Sequence, residues 1–226
     1  DSSMNPQDGL ISLFQVNDAL KRSSASKINN VIPYMSYSRQ DRMTEPRVPI
    51  TARIVANLIS AEAQRVITTD LHNPAITGFY KIPFDNLKGY IPISEYLKEN
   101  CAEFLENAVI LAPDVGCAKM AGSYAKRLSL GVVLADKERK KAGEIGDLKI
   151  VGDVSGKNVI IPDDMIDTGG TLIKAAEEAK KQGANKIYVC ATHGLFSKGV
   201  QELMNSSIEK IIITDSIPQD RNGKIV

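Results

Sequence analysis

Short β-branched runs alternate along the chain with longer amphipathic ones. Strands are expected at Val31-Ile32, Arg65–Thr69, Ala108–Ala112, Gly131–Ala135, Asn158–Ile161, Lys186–Cys190 and Lys210–Thr214. Helices are expected over Leu10–Ser23, Ile50–Ala63, Ser94–Leu105, Ala118–Leu128 and Thr171–Gln182. In the last of these, Leu172, Ala175, Ala176 and Ala179 recur at helical spacing, and Gly183 stands where a helix C-cap belongs. Repeated strand–helix–strand order predicts an α/β protein with doubly wound parallel sheets covered by helices. The segment Phe84–Ile93, with Asp85-Asn86, Gly89 and Pro92, is the expected boundary between two domains, 1–89 and 90–226.

Composition narrows the function classes. Lys and Arg number 28 against 27 Asp and Glu, so no net field draws the chain to nucleic acid or a membrane surface. The three cysteines (Cys101, Cys117, Cys190) are far apart and lack a C-x-x-C pair, which argues against a disulfide framework or zinc site and for a reducing cytoplasm. No run approaches the roughly 20 apolar residues of a membrane helix.

Ligands of open α/β sheets gather beyond the carboxyl ends of strands, so motifs that follow strands come first. Val159-Ile160-Ile161-Pro162 runs directly into Asp163-Asp164-Met165-Ile166-Asp167-Thr168-Gly169-Gly170-Thr171 and then a helix. Glycines admit an anion close to the backbone, and N–H groups at a helix start carry partial positive charge. Thr168 and Thr171 add hydroxyl donors, so a terminal phosphate fits there. Asp163 and Asp164 are suited to accept from sugar hydroxyls, directly or through Mg²⁺. Asp-Thr-Gly-Gly alone is equally compatible with a solvated turn; the whole string behind an apolar strand favours the anion site. No G-x-x-x-x-G-K-[ST] loop occurs.

Four further features carry chemistry. Arg39-Gln40, in Ser38-Arg39-Gln40-Asp41-Arg42, offers forked donors and an acceptor for a nucleotide, against the plainer reading of a surface ion pair with Asp41. His72 closes Asp70-Leu71-His72 at a strand end, where a lone histidine is more often structural. Asp114 lies in Pro113-Asp114-Val115-Gly116, beyond another strand. Lys137–Lys141 holds four cations in five residues, ordinarily a solvated face.

The acidic turn resembles the phosphoribosyl-pyrophosphate (PRPP) binding motif shared by type I phosphoribosyltransferases and ribose-phosphate pyrophosphokinases. The Arg39-Gln40, Asp70-Leu71-His72, Pro113–Gly116 and Lys137–Lys141 stretches, in the same order, resemble the pyrophosphokinases, in register from about Ala19 to Pro218. This resemblance implies two α/β domains of the type I phosphoribosyltransferase kind. It implies transfer of the diphosphoryl group of Mg–ATP to ribose 5-phosphate, giving PRPP and AMP for nucleotide biosynthesis. Arg39, Gln40 and His72 would then bind ATP, and His72 and Asp114 would serve its Mg²⁺. Asp163, Asp164, Asp167, Thr168, Gly169, Gly170 and Thr171 would hold ribose 5-phosphate, with Lys137 and Arg139 on the transition state. A cytoplasmic homo-oligomer, a hexamer built from dimers, is the family expectation. A non-catalytic regulatory relative and a phosphoribosyltransferase are the competing readings.

Several residues depart from the family pattern. Pro162 stands for an aliphatic residue and cannot donate to a sheet ladder. Cys117 stands for the second glycine of P-D-x-G-G. Ala75 and Thr77 stand for two glutamines, which puts regulation by ADP in doubt. The chain is expected to lack the family's N-terminal strands and closing C-terminal helix. His193 is expected to be structural, near the sheet edge.

Overall fold

The computed structural model describes residues 5–137, 148–220 and 223–226, the side chain of Lys137 excepted. The chain divides into two compact units. The first is Asp1–Lys88 with Asp215–Pro218, and the second is Gly89–Thr214 with Gln219–Val226.

In the first unit, α1 (Pro6–Arg22) starts at Asn5, whose side chain accepts from the N–H of Gln7, with Pro6 in the first turn. Then come β1 (Asn29–Ile32), α2 (Thr51–Glu62), β2 (Arg65–Thr69), a 3-10 helix (Pro74–Phe79) and β3 (Phe84–Leu87). The strands form a parallel sheet in the order β1-β2-β3. β3 corrects the sequence reading, which left Phe84–Leu87 in the inter-domain segment. Its Asp85-Asn86 pair reads locally as a turn, yet it lies in register with Ile67 and Thr68 of β2. Met35, Val55, Ile59, Val66, Leu71 and Ile76 form this unit's core.

The second unit is built on six strands. α3 (Tyr90–Asn100) and α4 (Ala102–Leu105) replace the single helix expected over Ser94–Leu105, because the chain breaks at Cys101 with φ −137°. β4 (Ala108–Ala112), α5 (Ala118–Leu128), β5 (Gly131–Lys137), β6 (Leu148–Val151), β7 (Asn158–Ile166), α6 (Gly170–Lys181), β8 (Ile187–Gly194), α7 (Gln201–Asn205) and β9 (Lys210–Ile213) follow. The order is β6-β5-β4-β7-β8-β9, with every pair parallel except β5 and β6. The antiparallel β6 was not expected from the sequence.

Alternate residues of the central strands feed two cores. Val109, Leu111, Val159, Ile161, Ile187 and Val189 pack with Leu172, Ala175, Ala176 and Ala179 of α6 on one face. Ile110, Ala112, Ile160, Tyr188 and Cys190 pack with Leu97, Tyr124 and Phe104 on the other. Strands buried on both faces need apolar residues at every position, which is why these runs do not alternate with polar ones. A fully buried Ile such as Ile160 contributes about 1.5–3 kcal/mol. Among the described residues, no helix is long and apolar enough to cross a membrane.

Candidate active site

From β4 the chain winds outward to β5 and β6, then returns across β4 to begin β7 and winds the other way. The reversal lies between β4 and β7, and there an open α/β sheet has its ligand crevice, beyond the carboxyl ends of the strands. Asp114 follows β4, while Asp163 and Asp164 lie in the second half of β7.

β7 was expected to end at Ile161, with the acids in a turn. It runs on to Ile166, and the reason lies in backbone parity. The N–H of Asn158 donates toward the β4 side, to Asn107, and that of Val159 toward the β8 side, to Lys186. Even-numbered residues of β7 therefore present their nitrogens to β4. Pairing with β4 stops at Ile160, whereas pairing with β8 continues through Pro162↔Cys190 and Asp163↔Ala191 to Ile166↔Gly194. Pro162 thus lacks its N–H on the β4 side, where it is the next donor after Ile160 and where pairing stops, so the proline takes nothing from the continuing ladder with β8. At Asp164, the next nitrogen on that side, the N–H donates to Oδ1 of Asp163 at 2.8 Å.

The acids are joined by one residue at the head of α5. The backbone N–H of Cys117, at the start of α5, donates to Oδ1 of Asp114 at 3.0 Å, and its Sγ lies 3.8 Å from Oδ1 of Asp163. Burial, reinforced by the hydrogen bond and charge of Asp164, pushes the carboxyl of Asp163 up to about 8. Burial first, then the carboxylates of Asp163, Asp114 and Asp164, holds the Cys117 thiol far above its ordinary range. The crevice therefore brings the carboxyl groups of Asp114, Asp163 and Asp164 together, a setting that favours a cation or a proton.

Beyond β7, Asp167 accepts from the hydroxyl of Ser197, and Gly169 caps α6 with φ 76°. A Cβ at Gly169 would meet Leu203 Cδ2 at 2.6 Å, so conformation and packing both demand glycine. Gly170 differs: a Cβ there would meet only Thr168 Oγ1, at 3.9 Å. Packing inside the chain does not require that glycine, which leaves the backbone there open to close approach. The N–H groups of Gly170, Thr171 and Leu172 have no carbonyl within the helix to reach, and Gly170, Thr168 and Thr171 are exposed.

The residues expected to bind ATP lie in the first unit. Arg39 ends a turn in which Tyr37 has φ 64° and the N–H of Gln40 donates to the carbonyl of Tyr37 at 3.0 Å. The carbonyl of Gln40 accepts from the N–H of Ala52 at 3.1 Å, which seats the turn on the start of α2. Arg39, Gln40 and His72 are exposed. Asn73, next to His72, donates to Asp41 and accepts from the N–H of Ala75, so it ties the two motifs together. Asp70 is buried with φ 35° and pairs with Lys88 at 3.4 Å.

His72 and Asp114, paired by the resemblance as metal ligands, belong to the first and second unit respectively. Lys137 ends β5, but its side chain, like Arg139 and the rest of the basic run, lies outside the described residues. His193 is buried on β8 opposite Met165, one strand in from the edge strand β9. Sequence reasoning missed the contacts of Cys117, Ser197 and Asn73. Only Asn73 carried a local signal, since Asn-Pro opens a helical turn.

Comparison with known proteins agrees with this geometry. A family model described as the N-terminal domain of ribose phosphate pyrophosphokinase matches residues 1–62, and one described as a phosphoribosyl synthetase-associated domain matches 141–225. The ribose-phosphate pyrophosphokinase of Campylobacter jejuni is 47% identical over 213 residues, 93% of this chain and 68% of the relative. That of Aquifex aeolicus is 43% identical, over 99% of this chain and 73% of the relative. The crystal structure of phosphoribosylpyrophosphate synthetase from Mycobacterium smegmatis superposes with a TM-score of 0.86 at 32% identity, covering 96% of this chain and 72% of that one.

Proposed function

The chain belongs to the ribose-phosphate pyrophosphokinase family, and from that membership we propose how its own residues carry out the reaction. The activity is transfer of the β,γ-diphosphoryl group of ATP to the anomeric hydroxyl of ribose 5-phosphate, giving PRPP and AMP for nucleotide biosynthesis. The supporting observation for the acceptor site is the convergence of Asp163, Asp164 and the α6 start at the carboxyl end of β7.

The N–H groups at Gly170 and Thr171, with Thr168 and Asp167, hold the 5-phosphate. Asp163 and Asp164 accept from the ribose hydroxyls and so orient the anomeric oxygen. That oxygen forms its bond to the β-phosphorus as the α,β-bridging oxygen leaves with AMP, so no protein nucleophile is needed. Such a transfer depends mainly on positioning and on neutralising charge. Lys137 and Arg139 take the second task, and Arg39, Gln40 and His72 bind ATP.

Mg²⁺ fits this site only in company. Among the described residues, no group of three or more His, Cys, Asp and Glu could hold a metal ion by itself. Mg²⁺ typically keeps several waters and binds through one or two carboxylates plus substrate phosphates, and Asp114 in an acid-rich crevice meets that demand. When bound, the ion neutralises and orders the polyphosphate.

Incubation of the protein with Mg–ATP and ribose 5-phosphate tests the reading: AMP should form only when the sugar phosphate is present, in equal amount with PRPP. Failure to form sugar-dependent AMP would overturn it.

A further inference from the structure

We propose that Cys117 is a positioning residue for the sugar-phosphate acceptor, because its contacts join the carboxylate beyond β4 to the carboxylate within β7. This rests on the reading of Asp163 as a ribose-orienting group.

The link uses two different groups of one residue. The backbone N–H fixes Oδ1 of Asp114 at 3.0 Å, and the thiol reaches Oδ1 of Asp163 at 3.8 Å across 46 residues of sequence. Asp163 Oδ1 also accepts from the N–H of Asp164 at 2.8 Å. Two donors from different directions therefore set the plane of the Asp163 carboxyl. The other hydrogen bonds to this carboxyl, from the N–H and side chain of Asp164, come from its own chain neighbour, whereas the thiol ties it to the β4 side.

Cysteine is suited to this place. A Cβ at Gly116 would lie 3.1 Å from Asp114 Oδ1, so the preceding glycine leaves room for the Asp114 contact. Glycine at 117 would keep the N–H contact to Asp114 and lose the thiol contact to Asp163. A cysteine thiol ordinarily carries its proton at neutral pH, so Sγ donates where a thiolate would repel. Cys117 touches neither reacting atom, so its effect must pass through Asp163 and appear in the handling of the acceptor.

Steady-state kinetics of Cys117→Ala, Cys117→Ser and Asp163→Asn in the full chain separate the possibilities. The Ala variant should raise the KM for ribose 5-phosphate about 3- to 10-fold, the range set by one ordinary hydrogen bond. Its kcat should fall less, and its KM for ATP should change by less than about 2-fold, within the scatter of a residue that makes no contact with that substrate. Ser restores a donor and should recover part of the loss; it also carries the test if the Ala variant fails to fold. Asp163→Asn should raise the same KM by at least as much. If Asp163→Asn raises it and both Cys117 variants leave it unchanged, or shift both substrates alike, the positioning role is overturned. If Asp163→Asn also leaves it unchanged, the ribose-orienting reading fails, and the role of Cys117 with it.

Discussion

The N–H of Asp164 donates to the carboxyl of Asp163, its own chain neighbour, at 2.8 Å. It does so because β4 has ended and left that edge of β7 open, so two adjacent acids face a crevice that no strand fills.

This pairing gives the ligand-free protein a pH dependence. The carboxyl of Asp163 is pushed up to about 8 in the folded state, mainly by burial, from an ordinary value of 3.8. The folded state then binds a proton that the unfolded chain releases, so this residue's contribution to stability is lost as pH rises from about 4 to about 8 and levels off above. Denaturation midpoints of native protein and Asp163→Asn between pH 5 and pH 9 should converge at the acid end and separate toward the alkaline end, with the variant more stable there. Parallel curves would sink the prediction.

The two glycines at the head of α6 should behave differently. Gly169→Ala forces a side chain into φ 76° and onto Leu203, so it should lower stability by about 1–3 kcal/mol or more. Gly170→Ala meets only Thr168 Oγ1 at 3.9 Å and should leave the melting temperature within a degree or two, since a surface change without a clash is worth about 0.5 kcal/mol or less. It should nonetheless weaken ribose 5-phosphate binding, measured by calorimetry, because the added methyl crowds the anion. Equal melting shifts in the two variants would contradict this division.

Lys137 stands at the end of β5, opposite Leu148 of β6. Lys137→Ala should reduce PRPP formation on the order of 10²–10³-fold, the usual cost of losing one transition-state donor, while ribose 5-phosphate still binds. Turnover close to that of native protein would remove Lys137 from the proposed mechanism.

In the first unit, Asn73 holds Asp41 through its amide and caps the 3-10 helix through its oxygen. Asn73→Ala removes both contacts and should cost about 1 kcal/mol of stability. It should raise the KM for ATP and leave that for ribose 5-phosphate unchanged, because the loosened loops carry Arg39, Gln40 and His72. A larger effect on the sugar phosphate than on ATP would show that these loops serve another ligand.

Much of this was written locally. The uninterrupted apolar runs Val109–Leu111 and Val159–Ile161 announced strands buried on both faces, and the spacing of Leu172, Ala175, Ala176 and Ala179 announced the helix that covers one of them. The acid-rich string ahead of Gly169-Gly170 marked the proposed anion site by residue type and order alone. These features rest on short-range rules, the period of a helix and the conformational demands of glycine, so the sequence by itself determined them. It did not determine where β7 ends. Proline and two acids read as the close of a strand, yet Pro162 and Asp163 continue it, because only the position of β4 decides which nitrogens still need a partner. Nor did it reveal that Cys117 meets Asp163, since a contact across the reversal of the sheet depends on strand order. Local patterning fixes which elements form and what chemistry they carry; tertiary pairing decides which of those groups meet.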